Sequence, residues 1–278
     1  MFLPCLATLV LVVAYPTVFL LRTSVQSWNL LVGIRRAVGI ANYAAILADP
    51  LFQQSLVRTL EYAAACLCSE LLAGLALAAA FNRELAGVGV LRTLLIAPLL
   101  VAPVVTGLIW RLMYEPSIGV INQLLTRLSL APVLWISSSS LALAAVGIAE
   151  IWQWTPFVFL VLLAGLKALP ENFDEAAQID GASWPQRFWL VQVPLLKQVI
   201  LVVILLRFLD IFRTFDLVYV MTRGGPGNAT YVLAFYNYVL GFTQFQMGMA
   251  SAAAVLSMVF ATVLTAVLLR QLFQPEAL

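Results

Sequence analysis

Long apolar runs set the rhythm of this chain. Residues 2–21 carry no charge at all, and further runs cover 60–80, 93–110, 140–166, 198–221 and about 246–269. A helix needs about 20 mostly apolar residues to cross a bilayer. The pattern therefore predicts an all-α membrane protein with six transmembrane helices. None of the runs shows the period-two alternation of a barrel strand. The first run is too long for a signal peptide and has no basic segment ahead of it. The chain starts almost inside that run, which is compatible with a basic tail ahead of Met1.

Polar segments with Gly and Pro separate the runs. Residues 23–56 are mixed in character and predict a short interfacial helix. The segment 114–139 holds Pro116, Gly119, Pro132 and the serines that begin at Ser137. The most charged connection is 167–197. Another opens at 223 with Arg223-Gly224-Gly225-Pro226-Gly227-Asn228. No separate soluble domain is visible, so residues 1–278 read as one transmembrane domain.

Composition agrees with the pattern. Of 278 residues, 63% are hydrophobic and 10% charged, too few to give a core of this size a water-compatible surface. A net charge of +2 without Lys/Arg runs argues against a nucleic-acid partner. The absence of histidine removes the usual metal ligand and the usual general base. We expect no catalytic residue and no metal site. Cys5, Cys66 and Cys68 all lie in apolar stretches and read as small buried hydrophobes.

Orientation is not set by charge. With 167–197 inside, the inner set is Arg83, Arg92, Lys167, Arg187, Lys197 and Arg270. The outer set is Arg22, Arg35, Arg36, Arg58, Arg111, Arg127 and Arg223. The two sets are nearly equal, so the positive-inside rule does not choose.

The connection 169–197 has its own local logic. Pro170 closes the preceding helix or its turn, Asn172 is an expected N-cap, and Asp174 and Glu175 favour a helix start. Gly181 supplies the freedom to end that helix. Ser183 caps a second one with Pro185 in its first turn, and Val193-Pro194 stops it. Local physics alone describes an amphipathic interfacial hairpin.

The residues say more. Glu175-Ala176-Ala177, Asp180-Gly181-Ala182 and Val193-Pro194-Leu195 resemble, in identity and spacing, the EAA loop of binding-protein-dependent ABC permeases. The resemblance implies a cytoplasmic two-helix coupling loop between the fourth and fifth spans, both termini inside, and docking of the loop on an ATPase subunit. Glu175, Ala176, Ala177, Asp180, Gly181, Ala182 and Pro194 are then the coupling residues. The small side chains allow close approach, and Glu175 offers a charge-assisted contact.

A second stretch narrows the resemblance. Arg213-Thr214-Phe215-Asp216-Leu217-Val218-Tyr219-Val220-Met221-Thr222, followed by Gly224-Gly225-Pro226-Gly227-Asn228-Ala229-Thr230, is similar to the fifth-span exit of carbohydrate permeases. That class handles maltose, trehalose and glycerol 3-phosphate, and the match is to the first of its two permease subunits. Asn42-Tyr43, Asp49-Pro50-Leu51-Phe52 and Gly119 with Asn122 are weaker echoes. The glycine-rich turn lacks the Gly-Lys-Ser/Thr ending of a phosphate loop, so no nucleotide is assigned to it.

The resemblance implies a non-enzymatic subunit of a bacterial or archaeal inner-membrane importer. Its partners would be a second homologous permease, two ATPase subunits that bind ATP and Mg, and an extracytoplasmic solute-binding protein. The chain itself would hold no cofactor. The expected solute is a sugar, with a polyol derivative such as glycerol 3-phosphate as the alternative.

Charges at membrane depth mark either structure or a solute path. Arg207, Asp210, Arg213 and Asp216 follow one another at three-residue intervals in the fifth span, and i,i+3 neighbours can neutralise one another. Glu150-Ile151-Trp152-Gln153-Trp154 in the fourth span combines aromatic faces with hydrogen-bonding groups, the pairing that sugars require. Path candidates are Glu150, Trp152, Gln153, Trp154, Asp210, Arg213 and Asp216, with Tyr236 and Asn237 at the outer mouth. The plainer readings are a self-neutralising ladder, an aromatic belt and a bonded glutamate. Glu61 and Glu70 read as structural or interfacial.

Two rival readings fit the sequence less well. An ion-coupled secondary transporter predicts an inverted repeat, which is not evident, and leaves the EAA stretch unexplained. An intramembrane enzyme requires a nucleophile–base set that the chain does not offer.

Overall fold

The computed structural model describes residues 8, 10–82 and 88–273. Cys5, Arg83 and residues 2–7 and 9 of the first expected span lie outside them. Among the described residues the regular structure is helical apart from one hairpin. In order come α1 (Val10–Ser24), strands β1 (Gln26–Trp28) and β2 (Arg35–Ala37), α2 (Ala41–Ala48) and α3 (Pro50–Phe81). Next are α4 (Val88–Ile96), α5 (Pro103–Met113), α6 (Val120–Arg127), α7 (Ala142–Lys167) and α8 (Glu171–Ile179). Last are α9 (Trp184–Leu195), α10 (Lys197–Phe212), α11 (Asp216–Met221), α12 (Leu233–Tyr238) and α13 (Met247–Phe273).

Among the described residues, three helices are long and apolar enough to cross a membrane: α3, α7 and α13. Two sharply bent pairs raise the number to five. The first expected span, 2–21, overlaps α1 over residues 10–21; α1 is apolar but shorter than a span.

The chain divides into two compact units. One takes the residues up to Leu60 with Tyr231–Ala266, and the other takes Glu61–Thr230 with the end of the chain. In the first unit the segment 23–56 holds more than the short helix expected. It forms an antiparallel hairpin in which Trp28 pairs with Arg35, whose guanidinium lies 3.7 Å from the indole centroid. Asn42 donates to the carbonyls of Ser24 and Gln26, which ties α2 to the hairpin. Asp49 starts α3: one carboxylate oxygen accepts the Leu51 N–H at 2.9 Å, with Pro50 at the first helical position, where no donor is needed. Its other oxygen accepts the Tyr236 hydroxyl at 2.6 Å. Burial, and then the Asp49 carboxylate, push that hydroxyl above the usual tyrosine value, so it stays a donor.

In the second unit, Leu75, Ala78, Val158, Phe159, Leu162, Leu196 and Val203 form a buried cluster joining α3, α7 and α10. Glycines let these helices approach. A Cβ on Gly74 would lie 2.6 Å from Val158, and one on Gly165 would lie 2.8 Å from Leu196.

Several expectations are corrected. The third span, 93–110, is not one straight helix. A 3₁₀ turn at Ala97–Leu100 leads to extended backbone at Val101 and Ala102, and the flanking helices bend by 99°. Pro98 and Pro103 explain this, since the residue before a proline avoids the α region. The fifth span, 198–221, breaks between Phe212 and Asp216, so the four-charge ladder loses its last rung. Asn172 is not the N-cap, because Pro170 takes that position and Asn172 lies inside α8.

Val193-Pro194 does not stop the second loop helix, which runs to Leu195 and bends by 67° into α10. A π turn at Phe188–Gln192 precedes the proline. There the Val193 N–H reaches back to Phe188, which accommodates the donor that Pro194 lacks. Cys66 is buried as expected, but Cys68 is exposed on the outer face of α3.

Candidate functional site

Arg207 lies at the centre of the charged groups. It is fully buried on α10 and gathers two other helices. Its Nε and Nη2 donate to the two carboxylate oxygens of Glu70 on α3, at 2.7 and 2.8 Å. Nη2 also donates to Glu150 on α7 at 2.7 Å. Nη1 makes no hydrogen bond and lies 3.7 Å from Asp210, one turn along α10. The guanidinium carbon sits 4.5 Å from the Trp154 ring centroid, so the cation also meets a π face. A charge in hydrocarbon persists only with such pairing.

Beside this cluster opens a pocket of about 330 Å³. Its wall is Pro103 on α5, Glu150 and Trp154 on α7, Asp210 on α10, Arg213-Thr214-Phe215 in the break, and Asp216-Leu217 at the start of α11. The break in the fifth span is what turns the peptide at 213–215 toward the pocket. Arg213 donates to Asp210 at 3.1 Å. Asp216 makes no side-chain hydrogen bond or ion pair among the described residues and is exposed.

Five of the expected path residues thus meet in one place: Glu150, Trp154, Asp210, Arg213 and Asp216. The others do not. Trp152 is 38% exposed and packs edge-on against Trp110. Gln153 is buried and donates to the Val101 carbonyl at 2.7 Å. It thereby satisfies a carbonyl freed by the break between α4 and α5, a backbone role in keeping with the rule that freed groups must find partners at membrane depth. Tyr236 and Asn237 belong to the other unit, bonded to Asp49 and Ser257. Sequence reasoning did not single out Pro103, Thr214, Phe215 or Leu217. Three of those stood within the stretch quoted for its resemblance. Among the described residues no set of three or more His, Cys, Asp or Glu is placed to hold a metal.

The loop 169–197 folds as an elbow of α8 and α9. Gly181 adopts φ +81°. Its N–H bonds to Gln178 and the Ala182 N–H bonds to Ala177, the paired bonds of a Schellman motif. Those bonds require the αL residue four positions after Ala177, so the Ala-to-Gly spacing has a geometric cause. Ser183 starts α9, with its N–H and hydroxyl both donating to the Gln186 side chain at 2.8 Å.

Asp174, which was not expected as a site residue, joins the two helices. It accepts from Arg187 at 2.6 Å and from Gln192 at 2.9 Å. Glu175, Ala176, Asp180 and Pro194 are exposed, Ala177 and Ala182 half-buried. Ile179, Trp189 and Leu190 are more than half exposed, a costly display unless something covers them.

Residues 71–275 match the family described as the binding-protein-dependent transport system inner membrane component. The chain is 37% identical over 273 residues to the trehalose/maltose transport system permease protein of Thermococcus litoralis, covering 97% of this chain and 91% of that one. It is 35% identical over 274 residues to a probable ABC transporter permease protein of Sinorhizobium fredii, covering 98% and 88%. An sn-glycerol-3-phosphate transport system permease protein of Agrobacterium fabrum is 34% identical over 232 residues, with 82% and 78% covered. The fold matches a chain of a bacterial alginate ABC transporter, solved with a periplasmic protein bound to an alginate pentasaccharide. The TM-score is 0.84 at 20% identity, covering 96% of this chain and 91% of that one.

Proposed function

The chain belongs to the binding-protein-dependent transport system inner membrane component family, and we propose that it forms one half of the path by which an ATP-driven importer carries a sugar across the membrane. It is a permease subunit and not an enzyme. In this reading ATP and Mg are bound by two separate ATPase subunits, a second homologous permease completes the path, and an extracytoplasmic protein delivers the solute. The membrane is the bacterial or archaeal inner membrane, with both termini and the elbow on the cytoplasmic side.

The observation that carries the reading is the elbow. Its exposed apolar side chains offer a partner a surface. Its internal clamp, Asp174 with Arg187 and Gln192, lets α8 and α9 move as one piece. Its second helix joins α10 through a single bend at Leu196, and α10 carries Asp210 to the pocket wall and Arg207 to the cluster behind it. Movement of an ATPase against the elbow would thus reach the pocket through one helix. Glu175, Ala176, Ala177, Asp180, Gly181, Ala182 and Pro194 are assigned to this contact. Glu150, Trp154, Asp210, Arg213 and Asp216 are assigned to the path, a choice that rests on their meeting in one pocket.

The solute class is supported by the relatives' names, which include trehalose/maltose and glycerol 3-phosphate. Trp154 beside hydrogen-bonding carboxylates suits a sugar. The test is affinity purification from the native membrane. An ATPase, a second permease and a solute-binding protein loaded with sugar should accompany the chain. The chain recovered alone, and active in proteoliposomes with only an ion gradient, would overturn the reading.

A further inference from the structure

Formal charge around the pocket is unequal. Among the described residues the wall carries three carboxylates, Glu150, Asp210 and Asp216, against the single cation of Arg213. Arg207 lies behind the wall, but its charge is matched by Glu70, which it holds with two hydrogen bonds. The cluster therefore leaves the pocket with a formal charge of minus two. The three carboxylates are not equivalent. Glu150 is held by Arg207 at 2.7 Å, and Asp210 lies 3.1 Å from Arg213 and 3.7 Å from Arg207. Asp216 makes no ion pair or side-chain hydrogen bond among the described residues. Arg213 and Asp216 are exposed and Asp210 partly so, which makes this a potential that salt can screen.

We propose that this pocket is a charge filter that admits neutral, polyhydroxylated solutes and repels anionic ones, with Asp216 as the residue that sets the selection. The proposal rests on the reading of the pocket as part of the solute path. An ionised carboxylate accepts hydroxyl hydrogens in pairs, which suits vicinal diols, and it repels the charged group of a phosphate, sulfonate or uronate. Of the two solute classes named above, the filter favours the sugar over the glycerol phosphate.

The potential can be read without knowing the solute. In the assembled complex, with Cys5, Cys66 and Cys68 replaced by alanine, Thr214→Cys places a thiol on the pocket wall. Its modification rates by a cationic trimethylammonium and an anionic sulfonate form of a methanethiosulfonate reagent are normalised to 2-mercaptoethanol. At low ionic strength the cation should react about tenfold faster. Adding Asp216→Asn should cut that ratio severalfold, and raised salt should shrink it further. Asp210→Asn removes the same unit of charge and should lower the ratio in the same direction. If Thr214→Cys disrupts assembly, Phe215→Cys serves in its place. Equal normalised rates at an accessible thiol would overturn the filter and leave the path reading intact. A thiol that no hydrophilic reagent reaches would instead overturn the path reading.

Discussion

Arg207 and Glu70 are 137 residues apart in sequence and share two hydrogen bonds, at 2.7 and 2.8 Å, with both side chains fully buried. The pair fastens α10 to α3, and Glu150 adds α7. A guanidinium fork matched to a carboxylate gives direction as well as attraction, which a lysine could not supply.

Arg207→Met should strand two buried carboxylates. Removing one partner of a buried pair costs about 3–5 kcal/mol. We expect the complex to lose most of its assembled yield and to melt well below the parent, as measured by size-exclusion recovery after heating. The triple change Arg207→Met, Glu70→Leu, Glu150→Leu should recover much of that loss. A single Arg207→Met variant as stable as the parent would show that the pairing carries little of the fold.

Gly181→Val places a β-branched residue at φ +81°. Although a Cβ there would meet no neighbour, the backbone strain is about 1–2 kcal/mol and falls on the motif that sets the angle between α8 and α9. Transport should fall severalfold while ATP hydrolysis by the complex continues. Glu175→Ala should uncouple in the same direction without strain. Uptake and hydrolysis that stay in proportion in both variants would remove the coupling role of the elbow.

Asp174→Ala should loosen the same elbow by a different route. It removes two hydrogen bonds and leaves Arg187, which is only 16% exposed, without its carboxylate. A loss of about 1–3 kcal/mol local to the loop is expected. Limited proteolysis between α8 and α9 should speed up, and coupled uptake should drop less than in Gly181→Val. Asp174→Asn, which keeps an acceptor, should restore part of both. Unchanged cleavage would mean that the clamp does not hold the loop.

Asp216→Ala should impair solute uptake by about tenfold, the equivalent of one charge-assisted hydrogen bond, without preventing assembly. The measurement is uptake into proteoliposomes normalised to complex recovered. Full uptake would reduce Asp216 to the acidic start of α11, where a carboxylate simply suits the helix end.

Much of this protein can be read from local signals. Apolar runs of membrane length announced helices because every backbone group in hydrocarbon must be satisfied within its own segment. The Ala177-to-Gly181 spacing and the Ser183 start gave an elbow because helix ends are governed by residues within one turn of them. The proline pair at Pro98 and Pro103 carried the signal for the broken third span, although apolarity alone concealed it.

Other features only the tertiary structure decided. No glycine or proline stands at 213–215, yet the fifth span breaks there and turns Arg213 and Asp216 onto the pocket wall. The i,i+3 spacing suggested a self-neutralising ladder, whereas Arg207 takes its main partners from α3 and α7. Gln153 looked like a sugar ligand and in fact serves a carbonyl 52 residues away. The physical reason is the same in each case. Periodicity and capping act over one or two turns, and sequence displays them directly. The desolvation of a buried charge or carbonyl is relieved by whichever group the packing of distant helices brings within 3 Å, and no local pattern records that meeting.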